Sequence, residues 1–312
     1  MEVFMSRHMF LWAVNPFRDK ESFRDKAGKL ASFLSQKTKW QVEPVFVSDP
    51  SEIRITFELA SLDKQKIVKF AEEKLEKVLK KWRPKGRLPA RTLFQNELSV
   101  SASAVELSAH AKKKGGKLIL SATHAKGGVG LFGIGSFTQA LLSHSAVPVL
   151  SMNPDRYRPR PIKRILFATD FSRDSRKAFL KLCELAKSLE AEIIISHIFQ
   201  HPVYWVPDTN FMYPGLPEFW ESDFLKKVRP ELQEECELFA RPARSARIKV
   251  SCSVKSAASS STFSAIIDDA RAHRADMIAL AAEGGAFARG VLGTTTQRVV
   301  HNSAVPVWVY RP

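Results

Sequence analysis

Two rhythms of apolar positions alternate along this chain. Short unbroken apolar runs, such as Ile165–Ala168, are followed by stretches in which apolar residues recur at helical spacing, such as Ala178, Leu182, Leu185, Ala186 and Leu189. The first pattern reads as a buried strand and the second as an amphipathic helix. Ser172 stands where that helix needs an N-cap. Further on, the spacing predicts strands at Glu192–Ile198, Arg247–Val254, Met277–Ala281 and Val305–Tyr310, and helices at Phe219–Phe239, Ser264–Arg274 and Thr295–Asn302. The N-terminal half follows suit, with strands near Phe10–Val14, Val42–Val47, Thr92–Gln95, Leu118–Ala122 and Val147–Ser151. Its long helix, Asp63–Trp82, carries Lys64, Lys66, Lys69, Lys74, Lys77, Lys80 and Lys81, a run that reads as a solvated face. Strands alternating with helices imply parallel β-α-β units and a doubly wound sheet.

The pattern occurs twice. Gly135-Ser136-Phe137-Thr138-Gln139 precedes Ser145-Ala146-Val147-Pro148-Val149, and Gly293-Thr294-Thr295-Thr296-Gln297 precedes Ser303-Ala304-Val305-Pro306-Val307, at one offset of 158 residues. Upstream, Phe10–Asn15 matches Ile165–Asp170 at an offset of 155, which loops of slightly different length explain. Two copies of one unit fused head to tail are implied. The expected organisation is a first domain over 1–153, a linker over 154–163 and a second domain over 164–312. The linker carries Pro154, Pro159 and Pro161 among basic residues, which favours an extended segment. The halves are expected to pack about a pseudo-two-fold axis with Val147–Ser151 against Val305–Tyr310, because like units commonly associate through an isologous contact and unpaired apolar edge strands are a liability.

Composition narrows the class. The 312 residues are 45% hydrophobic and 26% charged, a globular balance that excludes disorder, collagen and a heptad coiled coil. The apolar run Met9–Val14 is far shorter than the roughly 20 residues needed to span a bilayer, and it lacks a signal-peptide pattern. The reading is a cytoplasmic protein with no membrane association. A net charge of +16 is spread over both halves: 25 basic against 15 acidic residues over 1–155, and 23 against 17 over 156–312. It implies a weak attraction to polyanions and names none. No helix-turn-helix, zinc finger or RNP pattern accompanies it. The three cysteines, Cys183, Cys236 and Cys252, form no CxxC and read as buried thiols. The eight histidines show no HExxH and no metal spacing with cysteine. No Walker A, GxSxG or Ser-Gly-Gly pyrophosphatase loop is present, and no nucleophile–base pair stands out.

The residues at the strand ends resemble the universal stress protein family. The likeness rests on a first strand ending in Asp170-Phe171-Ser172, a second ending in His197, Gly-Thr or Gly-Ser opening the last helix, and a final Val-Pro-Val strand. It runs nearly the whole chain, twice, as in the tandem form of that family. The resemblance implies Rossmann-like folds, many of which bind ATP or another adenine nucleotide while others bind none. In the second copy it points to Ala168, Thr169, Asp170, His197, Gly284, Gly293, Thr294, Thr295 and Thr296. In the first copy it points to Asn15, Gly127, Gly128, Gly135 and Ser136. A carboxylate at Asp170 can accept from an adenine amino group, and a helix opening on Gly293 offers free N–H groups to phosphate.

The match departs from the family's nucleotide pattern, G-x2-G-x9-G-[ST]. Counting back from Gly293 gives Glu283 and Leu280, with Gly284 one residue displaced; counting back from Gly135 gives Ala125 and Ala122. Asn15 replaces the aspartate in the first copy, and Phe137 stands where the second has Thr295. The segment His201–Trp220, rich in aromatics and proline, has no counterpart of that kind in the first copy and reads as a lid, a docking surface or a packed loop. The function implied is that of a stress-response regulator sensing an adenine nucleotide, not an enzyme. Alternatives are a nucleotide-free scaffold or partner-binding module, a nucleic-acid-binding protein and a slow ATP hydrolase. An unidentified protein partner and self-association are compatible with each.

Overall fold

A computed structural model of the chain describes residues 8–48, 64–82, 84, 86–95, 99–123, 136–199, 216–257, 261–282 and 292–312, with the backbone alone for 64 and 216–227. In the first half, β1 (Met9–Ala13), α1 (Glu21–Thr38), β2 (Gln41–Ser48), α2 (Lys64–Val78), β3 (Arg91–Phe94), α3 (Val100–Lys113), β4 (Gly116–Ala122), α4 (Ser136–His144) and β5 (Val149–Met152) follow one another. The second half repeats the order with β6 (Arg164–Ala168), α5 (Arg173–Leu189), β7 (Glu192–Phe199), α6 (Leu216–Ser245), β8 (Val250–Ser256), α7 (Thr262–Ala272), β9 (Met277–Ala281), α8 (Thr294–Asn302) and β10 (Val307–Tyr310).

The expected α/β class holds, and the two parallel five-stranded halves join edge to edge in one sheet, ordered β3-β2-β1-β4-β5-β10-β9-β6-β7-β8. The join is the antiparallel pair β5–β10, in which Val149 faces Val309, Leu150 faces Trp308 and Ser151 faces Val307. At the offset of 158, Leu150 and Trp308 are equivalent residues, so the pseudo-two-fold axis passes between them. Both final strands begin just after their proline. Pro148 and Pro306 have no N–H to give, yet their carbonyls accept from Ile119 and Ile278, so each proline joins the ladder as an acceptor alone.

Successive residues of the central strands are buried on opposite faces, as parallel strands covered on both sides require. One face buries Phe10, Trp12, Phe167, Phe179, Phe239 and Trp308, and the other Leu11, Ile119, Val149, Leu166, Ile278 and Val309. Each cluster crosses the join. The segment between the halves has neither helix nor strand, but it is no loose spacer, because Tyr157 and Ile162 are buried in the first of these clusters.

Each half also buries one carboxylate beneath the equivalent helices α3 and α7. Glu43 on β2 meets His110 Nε2 at 2.8 Å and Arg91 Nε at 3.1 Å. Asp269 on α7 accepts from Ser196 Oγ at 2.6 Å and Ser253 Oγ at 3.2 Å, and it pairs with Lys255 Nζ at 2.6 Å and His273 Nδ1 at 3.1 Å. Ile119 and Ile278 hold equivalent registers against Leu11 and Leu166. Counting back nine residues from each reaches His110 and Asp269. One position is thus basic in the first half and acidic in the second, and its strand partner has the opposite sign.

The cysteines correct the reading made from their spacing. Cys183 is a buried free thiol, pushed up to about 11 by that burial. Cys236 and Cys252 instead form a disulfide. α6 turns back onto β8, so two residues 16 apart in sequence come to a Cα separation of 6.2 Å, inside the usual range for a disulfide.

Candidate functional site

In an open α/β sheet, ligands sit beyond the carboxyl ends of the strands, where the strand order reverses. In the second half the chain runs outward from β6 to β7 and β8, then returns to β9 on the other side of β6. The crevice therefore opens between the ends of β6 and β9. Ala168, the last residue of β6, pairs with Ser196 on one side and Leu280 on the other. Thr169 and Asp170 follow at the lip.

The turn after β6 is built by its own side chains. Thr169 Oγ1 accepts from the Phe171 N–H at 2.9 Å. Asp170 Oδ1 accepts from the Ser172 N–H at 3.0 Å and from Ser175 Oγ at 2.6 Å. Ser172 Oγ then accepts from the Ser175 N–H at 3.1 Å and caps α5, as its position in the sequence suggested. Partial burial acts to raise the Asp170 carboxyl, but the donated hydrogen bonds outweigh it and hold the group below the ordinary carboxylate value. Both of these hydrogen bonds fall on Oδ1.

His197, near the end of β7, is fixed beside this turn. Its Nδ1–H donates to the Thr169 carbonyl at 2.8 Å, since that oxygen can only accept. Its ring stacks on Phe171 with centroids 4.6 Å apart. Nε2 is thereby the ring's acceptor when the imidazole is neutral. Phe171 holds a left-handed backbone, φ 59°, which a bulky residue adopts only when its surroundings impose it. The Phe239 ring, 5.6 Å away, supports it from behind. The sequence pattern contained Phe171 and Ser175 without revealing their roles, which depend on α6 and on the turn's closure.

Across the crevice, α8 starts at Gly293, with no side-chain cap and no acidic residue in its first turn. Among the described residues, a Cβ added at Gly293 would meet nothing within 4 Å. Thr294 is exposed, Thr295 half-buried and Thr296 buried. The fold thus brings Ala168, Thr169, Asp170 and His197 together and sets Gly293–Thr296 after the strand beside them. Gly284, with Glu283 and Arg289, lies outside the described residues, as does most of the segment His201–Trp220.

The first half closes the equivalent position. Asn15 Oδ1 accepts from the Phe17 and Arg18 N–H groups at 3.0 and 3.1 Å, and the Asn15 N–H donates to Asp19 Oδ2 at 2.9 Å. Ala13 pairs with Val45 as Ala168 pairs with Ser196, so Phe46 occupies the register of His197. Phe17 packs against Phe46 at 5.5 Å and Phe70 at 6.2 Å. Ser136 is exposed at the start of α4, Phe137 packs against the core, and Thr138 Oγ1 donates to the Ala122 carbonyl at 3.2 Å. Gly127, Gly128 and Gly135 lie outside the described residues.

Fold and site together define a tandem α/β protein whose second half sets polar groups at its strand ends and whose first half packs phenylalanines beside the equivalent turn. Residues 161–311 match the model of the universal stress protein family. A universal stress protein from Archaeoglobus fulgidus DSM 4304 is similar over 98% of this chain and 99% of its own, with a TM-score of 0.57 and 17% identity. A functionally unknown protein from Pseudomonas aeruginosa PAO1 is similar over 99% and 94%, with a TM-score of 0.61 and 15% identity. At these identities the likeness concerns the fold. No curated protein matches the chain significantly. Among the described residues, no helix is long and apolar enough to cross a membrane.

Proposed function

We propose that the second half binds an adenine nucleotide between the ends of β6 and β9, and that the protein acts by binding, as a regulator, and not by catalysis. The observation that carries this is the pairing of two complementary features on one crevice. Asp170 offers a carboxylate at the lip of the crevice, whose Oδ1 is held by the Ser172 N–H and the Ser175 hydroxyl and which can accept from an amino group. The uncapped start of α8 offers backbone N–H groups suited to phosphate. Thr294 and Thr295 add hydroxyls at that end. A scaffold role is the better reading for the first half, because Phe46 fills the place of His197 and Asn15 is tied into its own turn.

A thermal melt with and without ATP tests this. Ligand at about 100 times its Kd stabilises the binding state by ~2.7 kcal/mol, which corresponds to roughly 5–10 °C if this half melts as its own unit. Asp170→Ala is expected to remove most of that shift, and Asn15→Ala little of it. The absence of a shift in the wild type would favour the scaffold reading for the whole chain. A shift lost only in Asn15→Ala would assign the ligand to the wrong half.

A further inference from the structure

The disulfide lies where a change in one helix reaches the candidate cleft. β8 is the outermost strand of the second half, and Cys252 on it pairs in register with Ile195, two residues before His197. Cys236 lies midway between two prolines inside α6, Pro230 and Pro242. Each proline removes a helical hydrogen bond and crowds the preceding turn. The docking of this stretch therefore depends on its buried face: Cys236, Phe239, Ala240 and Ala243. Phe239, less than one turn beyond Cys236, touches Phe171, and Phe171 stacks on His197. The left-handed Phe171 has its ring held between these two groups.

We infer that Cys236 and Cys252 are a reversible, redox-sensitive staple that fastens α6 to the edge strand and, through Phe239 and Phe171, keeps the turn carrying Asp170 in order. Cys252 is partly exposed while Cys236 is buried, so Cys252 meets the oxidant first. With a peroxide, the Cys252 thiolate attacks one oxygen, the O–O bond breaks, and water and a sulfenic acid result. The Cys236 thiolate then attacks that sulfur, the S–S bond forms, the S–O bond breaks, and a second water leaves. Two thiols and one peroxide give one disulfide and two waters. A dithiol reverses the step by exchange. Cys183 is no competing partner, being buried and unpaired in the core.

The test uses the full chain treated with hydrogen peroxide or with dithiothreitol. Alkylation after denaturation, read by mass spectrometry, is expected to label one of the three cysteines in the oxidised chain and all three in the reduced chain. Amide exchange over residues 231–241 and 169–175 is expected to quicken by about tenfold or more on reduction, since a cross-link closing a loop of this length constrains local opening. Cys252→Ser is expected to behave as the reduced chain under both treatments, and Cys183→Ala to keep the full response. Three labelled cysteines after peroxide, or equal exchange in both states, would overturn the staple. Only an effect on ligand affinity rests on the nucleotide reading. A chain whose exchange responds while ATP binds neither form would refute that reading and leave the staple standing.

Discussion

The two crevices are built on the same strands in the same order and differ at a few side chains. Where the second half has Asp170 and His197, the first has Asn15 and Phe46. In the second half the polar groups form a short network: Thr169 holds His197, and Ser172 and Ser175 hold one oxygen of Asp170. In the first half Phe17 packs on both Phe46 and Phe70. Duplication supplies two sites, but folding needs only the sheet and its join. One strand end can be filled with apolar side chains for stability while the other keeps groups that contribute little to the core.

The same contrast runs through the buried charges. His110 and Asp269 hold equivalent positions, and each pairs with strand groups of the opposite sign. The partners differ in exposure. His110 is nearly buried and lies against a buried Glu43, whereas Lys255 and His273 reach from partly exposed positions toward a fully buried Asp269. Two buried serine hydroxyls depend on Asp269 as well.

The comparison can be broken at several points. At the join, Trp308→Ala should cost about 4 kcal/mol and Leu150→Ala about 3, because each empties a fully buried site facing its own equivalent. Urea denaturation measures both, and values under about 1 kcal/mol would show that the join does not hold the halves. Beneath α7, Asp269→Ala should cost about 3 kcal/mol, since it leaves two buried hydroxyls, the Lys255 ammonium and the His273 ring without their partner. Glu43→Ala beneath α3 should cost about 2 kcal/mol, because it leaves fewer buried groups without an acceptor and Arg91, half exposed, can turn to water. The reverse order in the same assay would contradict the account of the two clusters.

At the helix starts the expected effects are smaller. α5 has a serine cap and the equivalent α1 begins after Lys20, which makes no side-chain cap. Ser172→Ala should therefore cost about 1 kcal/mol, and Lys20→Ser should gain several tenths.

Glu43 gives the last and smallest effect. Burial acts to raise its carboxyl, but hydrogen bonds from His110 and Arg91 hold it below the ordinary value of 4.5. Its folded value is thus lower than its unfolded one. The stability it adds is complete above about pH 4.5 and is lost as the pH falls through the depressed folded value. Glu43→Gln should flatten that part of the acid limb of a stability–pH curve, and an unchanged limb would contradict it.

Much of the architecture was legible because it is repeated. The 158-residue offset located both final strands, and the Val-Pro-Val pattern placed them at the centre. Boundaries were less so. The helix expected over Phe219–Phe239 runs on to Ser245 through Pro242, because its buried face against β8 outweighs the lost hydrogen bond. α1 and α3 were implied by the repeat alone, without bounds of their own. Asp170 and Ser172 could be read from their place after a buried strand, and both do what a turn and a cap require. Phe171 could not, since its role comes from α6, far along the chain. Nothing in the sequence marks Glu43 and Asp269 as buried, since most acidic residues are exposed. The pairing of Cys236 with Cys252 depends on a helix doubling back, which spacing alone does not express.

One half is expected to bind nucleotide and the other not. Isothermal titration of the oxidised chain with ATP counts sites directly, and the same titration of Asp170→Ala and Phe46→His tests where they are. The account predicts one ATP per chain, lost in Asp170→Ala and unchanged in Phe46→His, because a histidine alone does not replace the carboxylate. Two sites per chain, or one site that survives Asp170→Ala, would contradict it.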